Sequence, residues 1–350
     1  MSPIRSLKNM KKALSVLDFG SETVAVLVGE KKEDGTFHIL GAGDAPARGV
    51  ENGEITNLGD AVESVVEAAR KAERCSGVRV ETVYYNFDDA RIQSVRSKGS
   101  KQLAGEGEIR AQDVECARQT AERLVSHFEK VIVYSKEIGF LIDDRDVVDN
   151  PVGVFGRKLE VTMHILQARS EYCEAWQKLI KRANLGNGVR VFSCWSTAYG
   201  ILPREDRKRK RLILDLGKDH LNFFIFENNV VSDGRFYLNN KFSLAQIGER
   251  ASAALAELTA KWPDVKEVLV TGDLAQDEKM IQALKETISV PVRLGSPLWV
   301  PKLTASKYAS IVGLLCVADE LERKSPVHRR NKGLFVSAKE KAVSFINEYF

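Results

Sequence analysis

Two short stretches carry residue types that can handle a phosphate. Leu17-Asp18-Phe19-Gly20-Ser21-Glu22-Thr23 and Leu214-Asp215-Leu216-Gly217-Lys218-Asp219-His220 each run from an apolar strand pattern through Asp-x-Gly into a second strand pattern. A turn of this kind holds phosphate through backbone N–H groups, with hydroxyl and carboxylate help for a metal. Glycine lets the anion approach the backbone. In the first turn Gly20 supplies the bend, Ser21 and Thr23 supply hydroxyls, and Asp18 is the candidate to hold Mg²⁺ through water. Glu22, pointed inward, would repel phosphate. The second turn keeps only Gly217. Lys218 can meet phosphate as a point charge, and His220 can do so when protonated, while Asp219 opposes both. The plain alternative is that Asp18 and Ser21 cap a hairpin and that Lys218–His220 is a solvent-facing turn.

A third loop, Val270-Thr271-Gly272-Asp273-Leu274, closes an apolar strand. Gly272 there suits a ligand approaching a sheet edge, and Asp273 can bond a ribose hydroxyl, with a plain turn as the alternative. The candidate nucleotide-binding residues are therefore Asp18, Gly20, Ser21, Thr23, Asp215, Gly217, Lys218, Gly272 and Asp273. Hydrolysis would also need a positioned water, a base and neutralised phosphates. No side chain across the three loops fills those roles, so no catalytic residue is assigned.

The elements that must position these loops follow from periodicity. Residues 13–18, 23–30 and 37–43 read as strands joined by short turns. A helix over 60–75 places Val62, Val65, Val66 and Ala69 on one side. Val80–Phe87 is another strand. Ile92–Lys98 reads as a strand followed by a KQLAGEGEI loop. A helix over Ala111–Phe128 presents Val114, Ala117, Ala121 and Leu124, and two strands follow over Lys130–Asp143 and Arg157–Gln167. The second half restarts at Leu212 with the same order: Leu212–Leu216, His220–Glu227, Val230–Phe236, a helix over Leu244–Trp262, then Glu267–Thr271, a helix over Asp277–Thr287, Val290–Leu294 and a helix over Lys307–Val317. The charged run at 203–211 between the halves reads as a solvated connector.

The 350 residues are 44% hydrophobic and 29% charged, with a net charge of +4. That balance suits globular domains and excludes an obligate nucleic-acid binder. Five cysteines, none in a CxxC pair, indicate neither a zinc site nor a disulfide framework and suit a reducing cytoplasm. No signal peptide and no apolar run near the roughly 20 residues of a membrane span is visible. Membrane contact is therefore expected to be peripheral.

Several segments carry a family likeness: VLDFGSETVAVLVGE, GAGDAPARGVENGEITNLGDAVESVVEAARKAE, NPVGVFGRKLEVTMHIL, VLVTGDLAQ and KYASIVGLLCVA. Together they resemble the actin/Hsp70/hexokinase-like ATPase superfamily and, within it, the FtsA family. The resemblance implies an α/β, actin-like (ribonuclease H-like) duplicated fold with an FtsA-type subdomain inserted in the first half. The short stretch from Phe226 to Leu269 implies a missing or strongly reduced second small subdomain. The expected division is 12–91 and 168–203 for the first core domain, 92–167 for the inserted subdomain, 204–325 for the second core domain, 326–333 for a basic linker, and 334–350 for a C-terminal amphipathic helix.

In that helix Leu334, Phe335, Phe345, Ile346, Tyr349 and Phe350 gather on or beside one face, preceded by Arg329, Arg330 and Lys332, a pattern suited to anionic headgroups. The FtsA family also ends in a linker and a membrane-targeting helix. The resemblance thus implies an adaptor on the inner face of the cytoplasmic membrane, acting in cell division or envelope assembly. Its implied contacts are bacterial division or envelope proteins, the membrane surface and itself, and no nucleic acid. ATP and Mg²⁺ are the cofactors the superfamily implies, neither required by a scaffold. Two alternatives stand beside this: a PilM-like cytoplasmic scaffold that binds a short peptide of a membrane protein in pilus or secretion assembly, and an ATP-dependent enzyme of the sugar-kinase type.

Overall fold

A computed structural model describes residues 13–324, apart from 52, 89–91, 187, 219 and 239–241. The first half opens with a meander, β1 (Leu14–Phe19), β2 (Thr23–Lys31) and β3 (Phe37–Pro46). A small hairpin follows, β4 (Val50–Glu51) with β5 (Glu54–Ile55), then α1 (Leu58–Ser76) and β6 (Tyr84–Phe87). After the insertion come α3 (Ser170–Arg182), β11 (Val189–Phe192) and α4 (Ser193–Ile201). The second half contains β12 (Arg211–Leu216), β13 (His220–Glu227), β14 (Val230–Leu238), α5 (Leu244–Lys261), β15 (Val268–Thr271), α6 (Glu278–Thr287), β16 (Val292–Leu294) and α7 (Ala309–Lys324).

The duplication is topological. The first sheet has strand order β11-β6-β1-β2-β3 and the second β16-β15-β12-β13-β14. In both, the meander pairs are antiparallel and the two added strands parallel. Parallel pairs need crossovers, usually helical. In the second half, the described part of the crossover from β14 to β15 carries one helix, α5.

Strand alternation sorts the second sheet into two faces. Leu212, Leu214, Phe223 and Ile225 face α5 and α6, while Ile213, Phe224 and Phe226 join the core of the first half. That shared core closes where α4 and α7 cross. The crossing depends on two glycines: a Cβ at Gly313 would fall 1.7 Å from the Ser196 carbonyl oxygen, and one at Gly200 2.1 Å from that of Ala309. Gly43 likewise lets α1 close on β3, since a Cβ there would meet the Ala68 oxygen at 2.1 Å. Asn57 caps α1 by accepting from the Gly59 and Asp60 amides, and Gly77, at φ 69°, ends it.

The insertion holds β7 (Gln93–Glu108), α2 (Ala111–Val125), β8 (Lys130–Ile142), β9 (Asp146–Val148) and β10 (Phe155–Arg169), in a sheet of order β7-β10-β8-β9. The KQLAGEGEI segment is not a loop: β7 runs on through it to Glu108, paired with β10. Its glycines have strand duties. Gly99 admits α2, whose Ala117 oxygen would lie 2.0 Å from a Cβ there. Gly105, at φ 94°, sits where the pairing jumps register. On α2, Ala117 and Ala121 are buried and Val114 and Val125 pack beside them, whereas Leu124 is 69% exposed.

The run at 203–211 also differs from a solvated connector. Arg207 is buried against the Tyr199 and Trp299 rings and donates to the Tyr199 and Leu202 carbonyl oxygens. Arg211 pairs with Asp206 and Lys210 with Asp264. The segment is thus bonded to both halves. The expected basic linker and amphipathic helix at 326–350 lie outside the described residues.

Candidate functional site

Both Asp-x-Gly turns and the third loop open on one cleft between the halves. Its lining includes Asp18, Gly20, Ser21, Asp215, Gly217, Gly272 and Asp273, seven of the nine residues expected to gather there. The other two face elsewhere. Thr23 begins β2 and its carbonyl accepts from the Gly20 amide at 3.0 Å. Lys218 reaches across the rim to Glu22, Nζ to Oε2 2.6 Å, so the two turns are tied by an ion pair. Glu22 therefore does not point at a bound anion.

The floor is a polar network. Asn86 Nδ2 donates to Asp18 Oδ1 at 3.2 Å, and Ser310 at the start of α7 donates to Asp18 Oδ2 at 3.2 Å. Ser196 of α4 donates to Asn86 Oδ1 at 2.7 Å. On the opposite wall, Thr197 donates to Asp215 Oδ2 at 2.9 Å. Asn222 Nδ2 donates to Asp88 Oδ2 at 2.6 Å, joining β13 to the segment after β6. Gly272 holds φ 96°, and a Cβ on it would fall 2.7 Å from Asp215 Oδ1. Only glycine fits that approach.

His220 departs from expectation. It is not part of a solvent-facing turn. Its ring folds back over Gly217: a Cβ on Gly217 would fall 2.4 Å from Cε1 and 2.7 Å from each ring nitrogen. Nε2 lies 3.7 Å from Asp88 Oδ2 and 4.0 Å from Asp215 Oδ2. Burial works against its charge, but Asp88, Asp215, Asp18 and Asp273 outweigh burial and raise its pKa above the ordinary value. Burial pushes the Asp18 carboxyl up to about 6 despite the hydrogen bonds from Asn86 and Ser310. Burial also raises Asp215 and Asp273, with His220 opposing in both cases.

The residues do not fit a magnesium-bound nucleoside triphosphate as placed. The cleft encloses about 120 Å³, against the roughly 300 Å³ at which small-molecule sites begin. The Gly20 and Gly217 amides already donate to the Thr23 and His220 carbonyl oxygens at 3.0 and 2.9 Å. Four aspartates face the space where an anion would enter. Among the described residues no group of three or more His, Cys, Asp or Glu side chains is arranged to hold a metal ion. The chemistry available is polar contact between the halves.

Sequence reasoning missed the site's second wall: Asn86, Asp88, Thr197 and Asn222. Asn222 follows the second turn at a strand position, and period-two alternation from Asp215's partner strand is the one signal that could have marked it. Asn86 sits at the end of β6, Asp88 just past it and Thr197 on α4, and only the fold brings that strand end and that helix together.

Residues 89–167 match the family model described as the SHS2 domain inserted in FtsA. Cell division protein FtsA of Pseudomonas aeruginosa is 24% identical over 287 residues, covering 78% of this chain and 68% of that protein. The FtsA of Escherichia coli K12 is 24% identical over 216 residues, covering 62% of this chain and 51% of the relative. The chain is thus similar to FtsA at low identity over most of its length, and most specifically in the inserted domain. Among solved structures, a chain of the PilM-PilN type IV pilus biogenesis complex superposes with a TM-score of 0.60 at 14% identity, covering 88% of this chain and 99% of that one. At that identity the likeness is one of fold alone: the FtsA-like chain has the actin-like ATPase architecture.

Proposed function

We propose that this FtsA-like chain is a non-hydrolysing adaptor in cell division or envelope assembly, working through protein–protein contacts at the inner face of the cytoplasmic membrane. The observation that carries the reading is the cleft: the duplicated scaffold and the FtsA-type insertion are kept, while His220 and the Lys218–Glu22 pair fill or bridge the turns that would cradle phosphates. The two core halves, 12–91 with 168–203 and 204–325, form the rigid body. The insertion at 92–167 offers the protein-binding surface, with self-association as a further contact. Residues 334–350, with Arg329, Arg330 and Lys332 before them, supply membrane attachment. No helix among the described residues is long and apolar enough to cross a membrane, in keeping with a peripheral mode.

Sedimentation with anionic liposomes tests the membrane part. The full chain is expected to co-sediment, and removal of residues 334–350 to abolish it. Equal sedimentation of both proteins would sink the claim. The sugar-kinase alternative has no support in the cleft, and no observation favours the PilM-like alternative over the FtsA-like one.

A further inference from the structure

One contribution to the lack of fit to nucleotide comes from a single side chain. The ring of His220 occupies the space directly over Gly217, where an anion would have to lie to touch the backbone of the second turn. The same ring places Nε2 3.7 Å from Asp88 Oδ2 and 4.0 Å from Asp215 Oδ2. A magnesium-bound nucleotide would bring these two things together: a group packed on the glycine turn and a positive charge among the aspartates. His220 brings both at once from within the chain.

Two further atoms bear on this. Asp88 Oδ1 and Trp176 Nε1, both in residues that line the cleft, are buried without a hydrogen-bond partner among the described residues. Buried polar atoms are ordinarily paired. The closed arrangement therefore leaves an acceptor and a donor unused at the cleft wall, which a ligand or water in a wider cleft would engage.

We infer that His220 is an internal ligand of the interdomain cleft, plugging the phosphate position beside Gly217 and standing in for the divalent cation opposite Asp88 and Asp215. Asp18, Asp215, Gly20 and Gly272 remain in place around it. The inference rests on the adaptor reading and explains why that adaptor would work without nucleotide.

The test is calorimetric titration of the full chain with MgADP and MgATP, in the wild type, in His220→Ala and His220→Ser, and in Lys98→Ala as a control on the insertion surface. Thermal melts establish that each variant is folded. Either His220 variant is expected to bind at least tenfold more tightly than the wild type, with the gain lost when EDTA removes Mg²⁺, and Lys98→Ala is expected to match the wild type. Folded His220 variants that bind no better than the wild type would overturn the plug and leave the adaptor reading standing. Wild-type binding tighter than about 10 μM would overturn both, and that arm needs no variant to fold.

Discussion

Lys218 Nζ lies 2.6 Å from Glu22 Oε2, so the two Asp-x-Gly turns, one from each half, are joined across the mouth of the cleft. Both side chains are well exposed, 43% and 71%. Solvent screening limits such a pair to about 0.2–1 kcal/mol. A double-mutant cycle of Lys218→Ala and Glu22→Ala by urea denaturation should give a coupling in that range, shrinking as salt rises. A coupling of several kcal/mol would mean that the rim pair, rather than the buried network beneath it, closes the cleft.

His220 should make stability depend on pH. The surrounding aspartates raise its pKa above 6.5 in spite of burial. A histidine whose pKa is raised by folding binds its proton more tightly in the native state. Its contribution is full below the unfolded value and is lost as pH rises through the folded one. His220→Gln is therefore expected to cost most stability near about pH 6 and least near about pH 9, read from denaturation midpoints. A penalty that grows with pH would contradict the placement of the ring among carboxylates.

Asp18 acts in the same direction for a different reason. Burial carries its pKa from 3.8 to about 6, so ionising it disfavours the fold, and the stability it contributes below pH 3.8 is lost as pH rises through 6. Asp18→Asn should be more stable than the wild type near pH 8 by roughly 3 kcal/mol, with the difference shrinking toward pH 4. Thermal melts across that range give the answer.

The crossing of α4 and α7 should be intolerant of a methyl group. Alanine in place of a mid-helix glycine gains about 0.5–1 kcal/mol in conformational terms. At Gly313 the new Cβ would sit 1.7 Å from a backbone oxygen, which cannot rotate away. Overpacking of this kind costs typically 1–3 kcal/mol, occasionally more. Gly313→Ala is expected to lose about 2 kcal/mol in chemical denaturation, and no loss would mean the helices can part freely.

Val231 of β14 is one of the residues that tie the insertion to the second half. The Val231 amide donates to Tyr134 Oη at 2.8 Å, and its carbonyl accepts from His164 Nδ1. Burial holds the His164 pKa down to about 4, so the ring is neutral here and Ser94, 2.9 Å from Nε2, completes its bonding. Tyr134→Phe leaves a buried N–H without a partner, a cost of about 1–3 kcal/mol. Hydrogen exchange should show the Val231 amide losing protection in that variant.

The halves and their turns were legible because strand alternation and Asp-x-Gly spacing are local signals. So was most of the insertion, apart from the end of β7. There Gly99, Gly105 and Gly107 look like loop residues, and only the helix lying across Gly99 shows why one is needed in a strand. Arg207 was hidden in a charged run because its partners are backbone carbonyls of residues 199 and 202 and two aromatic rings. His220 was recognised as a group that could meet a phosphate, yet residue type cannot say which way a turn side chain folds. Its direction is set by aspartates from β1, β12, the segment after β6 and the loop after β15, which only the fold brings together.

On this reading the scaffold holds its cleft closed without nucleotide. Calorimetric titration of the wild-type full chain with ATP and Mg²⁺ at neutral pH tests it most directly. No binding tighter than about 10 μM is expected. A saturating isotherm with a dissociation constant below about 10 μM, roughly 7 kcal/mol, would contradict it.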